Sequence, residues 1–126
     1  MSVRHDGIAT VESRRARPWK YHYNGAAALS AAVAQAAPAA GECVYLEWLI
    51  FSTGVAAASD VRLLEGSTVV LGPYYTEAVI GRGVALKWSD APVKFTAATA
   101  LLVTTGAGAQ SVDMGGFIGP DLPPGA

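Results

Sequence analysis

Residues 42–52 constrain the fold more than any other stretch of this chain. They form the densest run of β-branched and aromatic residues in the sequence, and a glycine punctuates each side of it. A strand places alternate side chains on opposite faces. One face would carry Val44, Leu46, Trp48 and Ile50, and the other Cys43, Tyr45, Glu47, Leu49 and Phe51. Because both faces are largely apolar, the run predicts a central strand with a core on one side and further cover on the other.

The rest of the chain indicates an all-β protein of one domain. Roughly eight short runs rich in strand-forming residues, separated by glycine and proline turns, predict an antiparallel β-sandwich or barrel rather than a βαβ protein. Residues 60–65 and 68–71 have the pattern of a hairpin around Gly66, with the second strand ended by Gly72 and Pro73.

Residues 26–37 leave two alternatives open. Their alanines favour a helix, and Leu29 and Val33 have the i, i+4 spacing of a helical pair. The same residues also alternate with smaller ones as in a strand, and their surroundings are all-β. Local sequence does not decide between the two.

The two ends of the chain differ from its centre. Residues 1–18 have little periodic apolar content, which predicts an extended N-terminal arm, whereas residues 19–119 form the sandwich domain and residues 120–126 a proline-rich tail. Residues 1–20 carry five basic and two acidic side chains, a balance of +3, and residues 21–126 carry four basic and eight acidic ones, a balance of −4. A basic arm on an acidic body indicates a strap to an acidic partner surface or to nucleic acid, or a solvated tail.

Neither a membrane span nor a secretory signal is expected. No run approaches the roughly 18 to 20 uninterrupted apolar residues of a membrane-spanning helix. Residues 1–20 carry charges throughout and lack the apolar centre of a signal peptide. We therefore expect a soluble protein that is made in a cytoplasm.

Catalytic and metal-binding patterns are missing from the sequence. The candidate zinc ligands are only His5, His22 and Cys43, and we interpret the cysteine as a small buried hydrophobe and His22 as a solvent-facing or interface residue. The carboxylates that a glycosidase would need are Glu47, Glu65 and Glu77, and for Glu47 we favour ion pairing with an arginine of the arm or of another subunit, or solvent exposure. We expect no enzymatic activity, no catalytic residues, no cofactor and no metal.

Several segments between residues 19 and 120 together resemble one family of proteins. The matching segments are the aromatic entry at residues 19–23, the small-residue run at 36–41, the hydrophobic strand at 45–52, the strand and turn at 61–66, Ala91 with Pro92, and the glycine-aromatic close at 115–120. This pattern of strands and turns is similar to that of the small structural proteins of tailed bacteriophages that decorate or cement the capsid, including head-fibre proteins.

The resemblance implies a fold, a partner and a location. It implies that residues 28–36 form a strand, and that the domain is a jelly-roll-like sandwich that assembles as a homotrimer. The partner would be the major capsid protein, and the location would be the outer capsid surface of the virion after synthesis in the host cytoplasm. No small-molecule substrate and no membrane contact are expected, and nucleic acid is not expected as a partner.

The leading hypothesis is therefore a capsid decoration or cement protein that stabilises the assembled head. We expect the arm to bind the capsid through Arg4, Ile8, Val11, Arg14, Arg15 and Arg17. We expect the Val44 face of the central strand to be fully buried within one subunit. The opposite face would meet other subunits through Tyr45, Glu47, Leu49 and Phe51. The alternative is a receptor- or glycan-binding module of a phage fibre or spike, which would use Tyr74 and Tyr75.

Overall fold

A computed structural model describes residues 17–54, 58–76, 83–88, 90–106 and 108–122. Every regular element in these ranges is a β-strand, so the all-β prediction is confirmed. The strands are β1 (Pro18–Gly25), β2 (Ala32–Gln35), β3 (Glu42–Thr53), β4 (Asp60–Glu65), β5 (Thr68–Tyr75), β6 (Gly83–Lys87), β7 (Val93–Lys94), β8 (Leu101–Thr105) and β9 (Gln110–Pro120).

The strands form two antiparallel sheets packed as a β-sandwich. The five-stranded sheet has the order β1-β9-β3-β6, with β7 also paired to β3, and the four-stranded sheet has the order β2-β8-β4-β5. The pairs β1/β9, β2/β8, β3/β6 and β4/β5 are nested along the chain and alternate between the two sheets. Both inner faces supply one apolar core. Its buried members are Trp19, Ala34, Val44, Leu46, Leu49, Phe51, Val61, Leu63, Phe95, Leu101, Val103, Val112, Met114 and Ile118.

The open alternative for residues 26–37 is resolved as a strand, although a short one. Only Ala32–Gln35 pair with β8. Before this strand, the Leu29 N–H donates to the Thr105 side-chain oxygen at 2.8 Å, and the Leu29 carbonyl accepts from the Thr105 N–H at 3.0 Å. These partners lie more than seventy residues away in the sequence. A distant strand therefore overrides the helix propensity of the alanines.

The predicted hairpin is present, but its second strand is longer than expected. β4 and β5 pair around Gly66, and β5 continues through a cis Gly72–Pro73 bond to Tyr75. β5 lies at the edge of its sheet, where a proline without an N–H is tolerated. Two register shifts in the β4–β5 pairing accommodate the additional residues of the longer β5. The prediction that Gly72 and Pro73 end the strand is therefore wrong.

The central strand β3 contains a β-bulge at Glu47. Leu46 pairs with Gly116 of β9 and Trp48 pairs with Gly115, so β3 has one residue more than β9 at this point, Glu47. The Glu47 carbonyl accepts a hydrogen bond from the Trp88 N–H at 2.7 Å. A single extra residue exchanges the two faces of the strand beyond it.

The bulge corrects the predicted faces of β3. Val44 and Leu46 lie in the core as expected, but beyond Glu47 it is Leu49 and Phe51 that are fully buried there. Trp48 is only partly buried and Ile50 is 49% exposed, so the prediction that both are fully buried is wrong. Leu49 and Phe51, predicted for a subunit interface, face the interior of their own subunit.

The sandwich begins with β1 and ends with β9. β1 begins at Pro18 and β9 ends at Pro120, one residue outside the limits predicted for the domain. The Ile118 N–H donates to the Arg17 carbonyl at 3.0 Å, so chain pairing reaches Arg17. The remainder of the predicted arm, residues 1–16, lies outside the described ranges, as do residues 123–126.

Candidate interaction surfaces

The outer face of the five-stranded sheet is built from cross-strand rows of side chains. Residues that pair across strands project to the same face. One row consists of His22, Asp113, Ile50 and Ala85, and the next of Lys20, Gly115, Trp48 and Lys87. The bulge at Glu47 places Trp48 and Ile50 on this face, so the structure creates an apolar centre that the sequence alternation assigned to the core.

An open groove of 370 Å³ lies at this apolar centre. It is lined by Trp48, Ile50, Ala85, Leu86 and Lys87. The indole of Trp48 lies over Gly115, where an added Cβ would approach the ring to 2.9 Å. Because Gly115 has no side chain, the Trp48 ring can lie against the sheet at this point. Lys20 and Lys87 lie at the two ends of the same cross-strand row.

His22 and Asp113 form an exposed pair beside the groove. Nδ1 of His22 lies 2.6 Å from a carboxylate oxygen of Asp113, and the side chains are 63% and 37% exposed. The exposure of His22 fits its interpretation as a solvent-facing residue. Within the described ranges no cluster of three or more histidine, cysteine or acidic side chains could hold a metal ion.

A second small cluster covers the other end of the same face. The rings of Tyr45 and Phe117 stack with centroids 4.6 Å apart, next to Cys43, and Ala97 packs on them. The Tyr45 hydroxyl donates to the Pro120 carbonyl at 2.5 Å. Tyr45 is only 3% exposed, so a residue predicted to meet another subunit is already covered by its own chain.

The chemistry around this cluster is structural. Burial raises the pKa of the Cys43 thiol, and the thiol is fully inaccessible. The Lys94 ammonium donates to a carboxylate oxygen of Asp121 at 2.7 Å, which raises the pKa of Lys94 and lowers that of Asp121. A buried, protonated thiol is a poor nucleophile. This agrees with the interpretation of Cys43 as a small hydrophobe.

The outer face of the four-stranded sheet carries an aliphatic row that the sequence analysis did not identify. Val33 pairs with Leu102, Leu102 with Leu64, and Leu64 with Val69, so the row crosses all four strands. Val33 is 58% exposed and Val69 is 42% exposed, whereas Leu64 is buried between its neighbours. We call these four residues the aliphatic row.

A signal for the aliphatic row was present in the sequence. Strands of the four-stranded sheet contain adjacent apolar pairs at residues 63–64, 69–70 and 101–102. In a strand, two adjacent residues project to opposite faces, so each pair places one apolar side chain outside the core unless a bulge intervenes. The doublets therefore predict apolar outer positions, although not that these positions align.

The remaining predicted site residues are dispersed. Arg17 forms an ion pair with Glu42 of the sandwich, and Arg4, Ile8, Val11, Arg14 and Arg15 lie outside the described ranges.

The candidate carboxylates and tyrosines lie in different places. Glu47 is partly buried at the bulge. Glu65 accepts from the Thr96 hydroxyl at 2.8 Å, and Glu77 is not among the described residues. Tyr74 packs against the core, whereas Tyr75 is 69% exposed.

Comparison with known proteins gives no relative. No family model, no curated protein and no solved structure matches this chain. Within the described ranges no helix is long and apolar enough to cross a membrane. Functional inference therefore depends on the two outer sheet faces and on the chemistry they present.

Proposed function

We propose that this protein is a bacteriophage virion protein that decorates and cements the capsid as a homotrimer. Its partner is the major capsid protein, and its site is the outer surface of the head. The observation that carries the proposal is the aliphatic row, because branched side chains aligned across all four strands of a sheet favour burial against another protein surface. A protein that binds only the assembled lattice stabilises that lattice by mass action.

The strand pairing supports the finer assignment of the sandwich as a jelly roll. A jelly roll is a long antiparallel ribbon wrapped so that successive strand pairs alternate between two sheets. The nested pairs β1/β9, β2/β8, β3/β6 and β4/β5 have this arrangement. The same assignment is implied by the resemblance to decoration proteins.

We assign fewer residues of the arm to capsid binding than the sequence alone predicts. Arg17 is engaged by Glu42 of the sandwich, so the capsid-binding residues are Arg4, Arg14 and Arg15, with Ile8 and Val11 as apolar anchors. Sixteen residues precede Arg17. Fully extended, such a segment spans about 50 Å, enough to reach beyond one subunit on a shell.

Deleting residues 2–16 tests the proposal directly. The deletion retains Arg17, whose contacts with Glu42 and Ile118 belong to the sandwich. We expect the truncated protein to remain a folded oligomer and to lose co-sedimentation with empty heads assembled from the major capsid protein of the same phage. Failure of the full-length chain to co-sediment would contradict the capsid proposal, and equal binding by the truncated chain would contradict the role of the arm.

We assign the aliphatic row to the trimer interface, so a charge in this row should disrupt the trimer. Lysine at Val69 would place an ammonium group in the proposed interface, and burying an unpaired charge costs several kcal/mol. We expect Val69→Lys to weaken trimer association at least about a hundredfold in sedimentation equilibrium. Ile50→Lys is the matched control, because Ile50 is similarly exposed on the opposite face. Equal sensitivity of the two positions, or none at Val69, would contradict this interface.

A second function is favoured by the aromatic residues at the surface. Trp48 lines the groove with its ring next to Gly115, and Tyr75 is the most exposed large hydrophobic side chain in the described ranges. Such rings combine an apolar face with a polar N–H or O–H group, which suits a receptor- or glycan-binding module of a fibre or spike. A glycan-array signal lost in Trp48→Ala, without head binding, would select this function over decoration.

A further inference from the structure

Within the described ranges, β1 pairs with β9 on one side only, and its other edge presents backbone groups in a regular register. The Arg17 carbonyl accepts from the Ile118 N–H at 3.0 Å, so residue 17 directs its backbone groups toward β9. Because this direction alternates along an antiparallel strand, Lys20, His22 and Asn24 direct their N–H and carbonyl groups away from β9. No described residue pairs with that edge.

β1 differs from the other sheet edges in length and regularity. It has eight residues and pairs with β9 without a register shift. β5 contains two register shifts and Pro73, β2 has four residues and β6 has five. A long regular edge is a ready template for another strand, and most proteins shorten, twist or cover such edges. The edge of β1 is therefore the strongest candidate for strand addition.

We propose that β1 pairs antiparallel with β1 of a second copy of this chain, about a two-fold axis at His22. In this register the N–H groups of Lys20, His22 and Asn24 each meet an outward carbonyl, so the two copies form six hydrogen bonds. Pro18, which has no N–H, falls outside the paired stretch. The contact is isologous, as a two-fold axis requires.

The side chains on both faces are compatible with this register. On the outer face, Lys20 lies opposite Asn24 of the second copy, so no lysine opposes a lysine. On the inner face, Tyr21 lies opposite Tyr23 of the second copy, and both rings are half-buried at the edge of the core. Cross-strand aromatic pairs are favourable. Each His22 keeps Asp113 of its own chain as a neighbour at 2.6 Å.

Shifting the two-fold axis by one residue gives a poorer fit. An axis at Tyr21 would place Lys20 opposite His22 and would bring Pro18 into the ladder opposite Asn24, where it has no N–H to donate. The register centred on His22 therefore fits better than the one centred on Tyr21. This contact is independent of the aliphatic row and of capsid binding, so either proposal can fail without the other.

The test uses the full chain carrying Val69→Lys, so that association through the aliphatic row is suppressed. We expect this background to form a dimer in sedimentation equilibrium. Asn24→Lys places two lysine pairs across the two-fold axis and should raise the dimer Kd about tenfold at low salt. Adding Lys20→Glu converts both pairs to opposite charges and should restore Kd to within about threefold of the background. A monomeric background, or no rescue by the double charge change, overturns the proposal.

A backbone test complements the charge exchange. His22→Pro removes an outward N–H that makes no bond to β9, and edge strands tolerate proline at such positions. We expect a monomer in the Val69→Lys background with the circular dichroism spectrum unchanged. Retained dimerisation by a folded His22→Pro protein would overturn the proposal. If this variant unfolds, the charge exchange at the exposed positions 20 and 24 decides the question alone.

Discussion

Phe51→Ala should lower the free energy of unfolding by about 3 to 5 kcal/mol, the usual cost of emptying a buried phenylalanine site. Phe51 is fully buried in the core between the two sheets, beyond the bulge at Glu47. Removal of the ring takes apolar contacts out of the core and leaves a cavity, because the surrounding side chains relax only partly into the space. Urea unfolding followed by fluorescence, at one fixed protein concentration, measures the change.

Ile50→Ala is the matched control for this experiment. Ile50 is the preceding residue of the same strand and is 49% exposed on the outer face. We expect a loss below about 1 kcal/mol, because substitutions at exposed positions are usually small. Unbroken alternation along residues 42–52 predicts the reverse order. A larger loss for Ile50→Ala than for Phe51→Ala would therefore contradict the bulge.

Gly116→Ala should destabilise the protein by about 2 to 5 kcal/mol, through overpacking and loss of a buried hydrogen bond. An added Cβ would lie 1.8 Å from the Tyr45 carbonyl oxygen, which is backbone and has little freedom to move. The same oxygen accepts from the Trp19 indole N–H at 3.1 Å. Gly116 thus provides space for both the bulged strand and the indole of β1.

Gly54→Ala is the control for the glycine experiment. Its added Cβ would meet the Ala109 side chain at 3.3 Å, at an exposed position where the chain turns. We expect a change within about 1 kcal/mol in either direction. Thermal unfolding of both variants provides the comparison. Wild-type stability for Gly116→Ala would show that β3 and β9 do not approach each other as closely at the bulge as the structure indicates.

Contacts with β3 explain why residues 115 and 116 are glycines. In the sequence they belonged to a glycine-aromatic close at the end of the last strand. In the fold, Gly116 lies against the Tyr45 carbonyl and Gly115 lies under the Trp48 ring. Both contacts involve β3, which is more than sixty residues earlier in the chain. The motif could be recognised locally, but its purpose depends on which strand lies beside it.

The candidate surfaces were less predictable than the fold. Adjacent apolar residues at 63–64 and 101–102 indicate that some branched side chains face outward, but their alignment into a row depends on strand register. Tyr45 was a reasonable interface candidate by alternation. Its coverage comes from Phe117 and Ala97, which the chain brings back from distant segments.

The sequence by itself determined the all-β class, the central place of residues 42–52 and the β4–β5 hairpin. These follow from alternation, strand propensity and turn residues, which are local. Only the tertiary structure decided which face of β3 is the core, because the bulge at Glu47 is defined by pairing with β9 and by the Trp88 N–H. Because both faces of β3 are largely apolar, the change of phase at the bulge does not show in the alternation of residues 42–52, yet it exchanges Ile50 for Phe51 in the core.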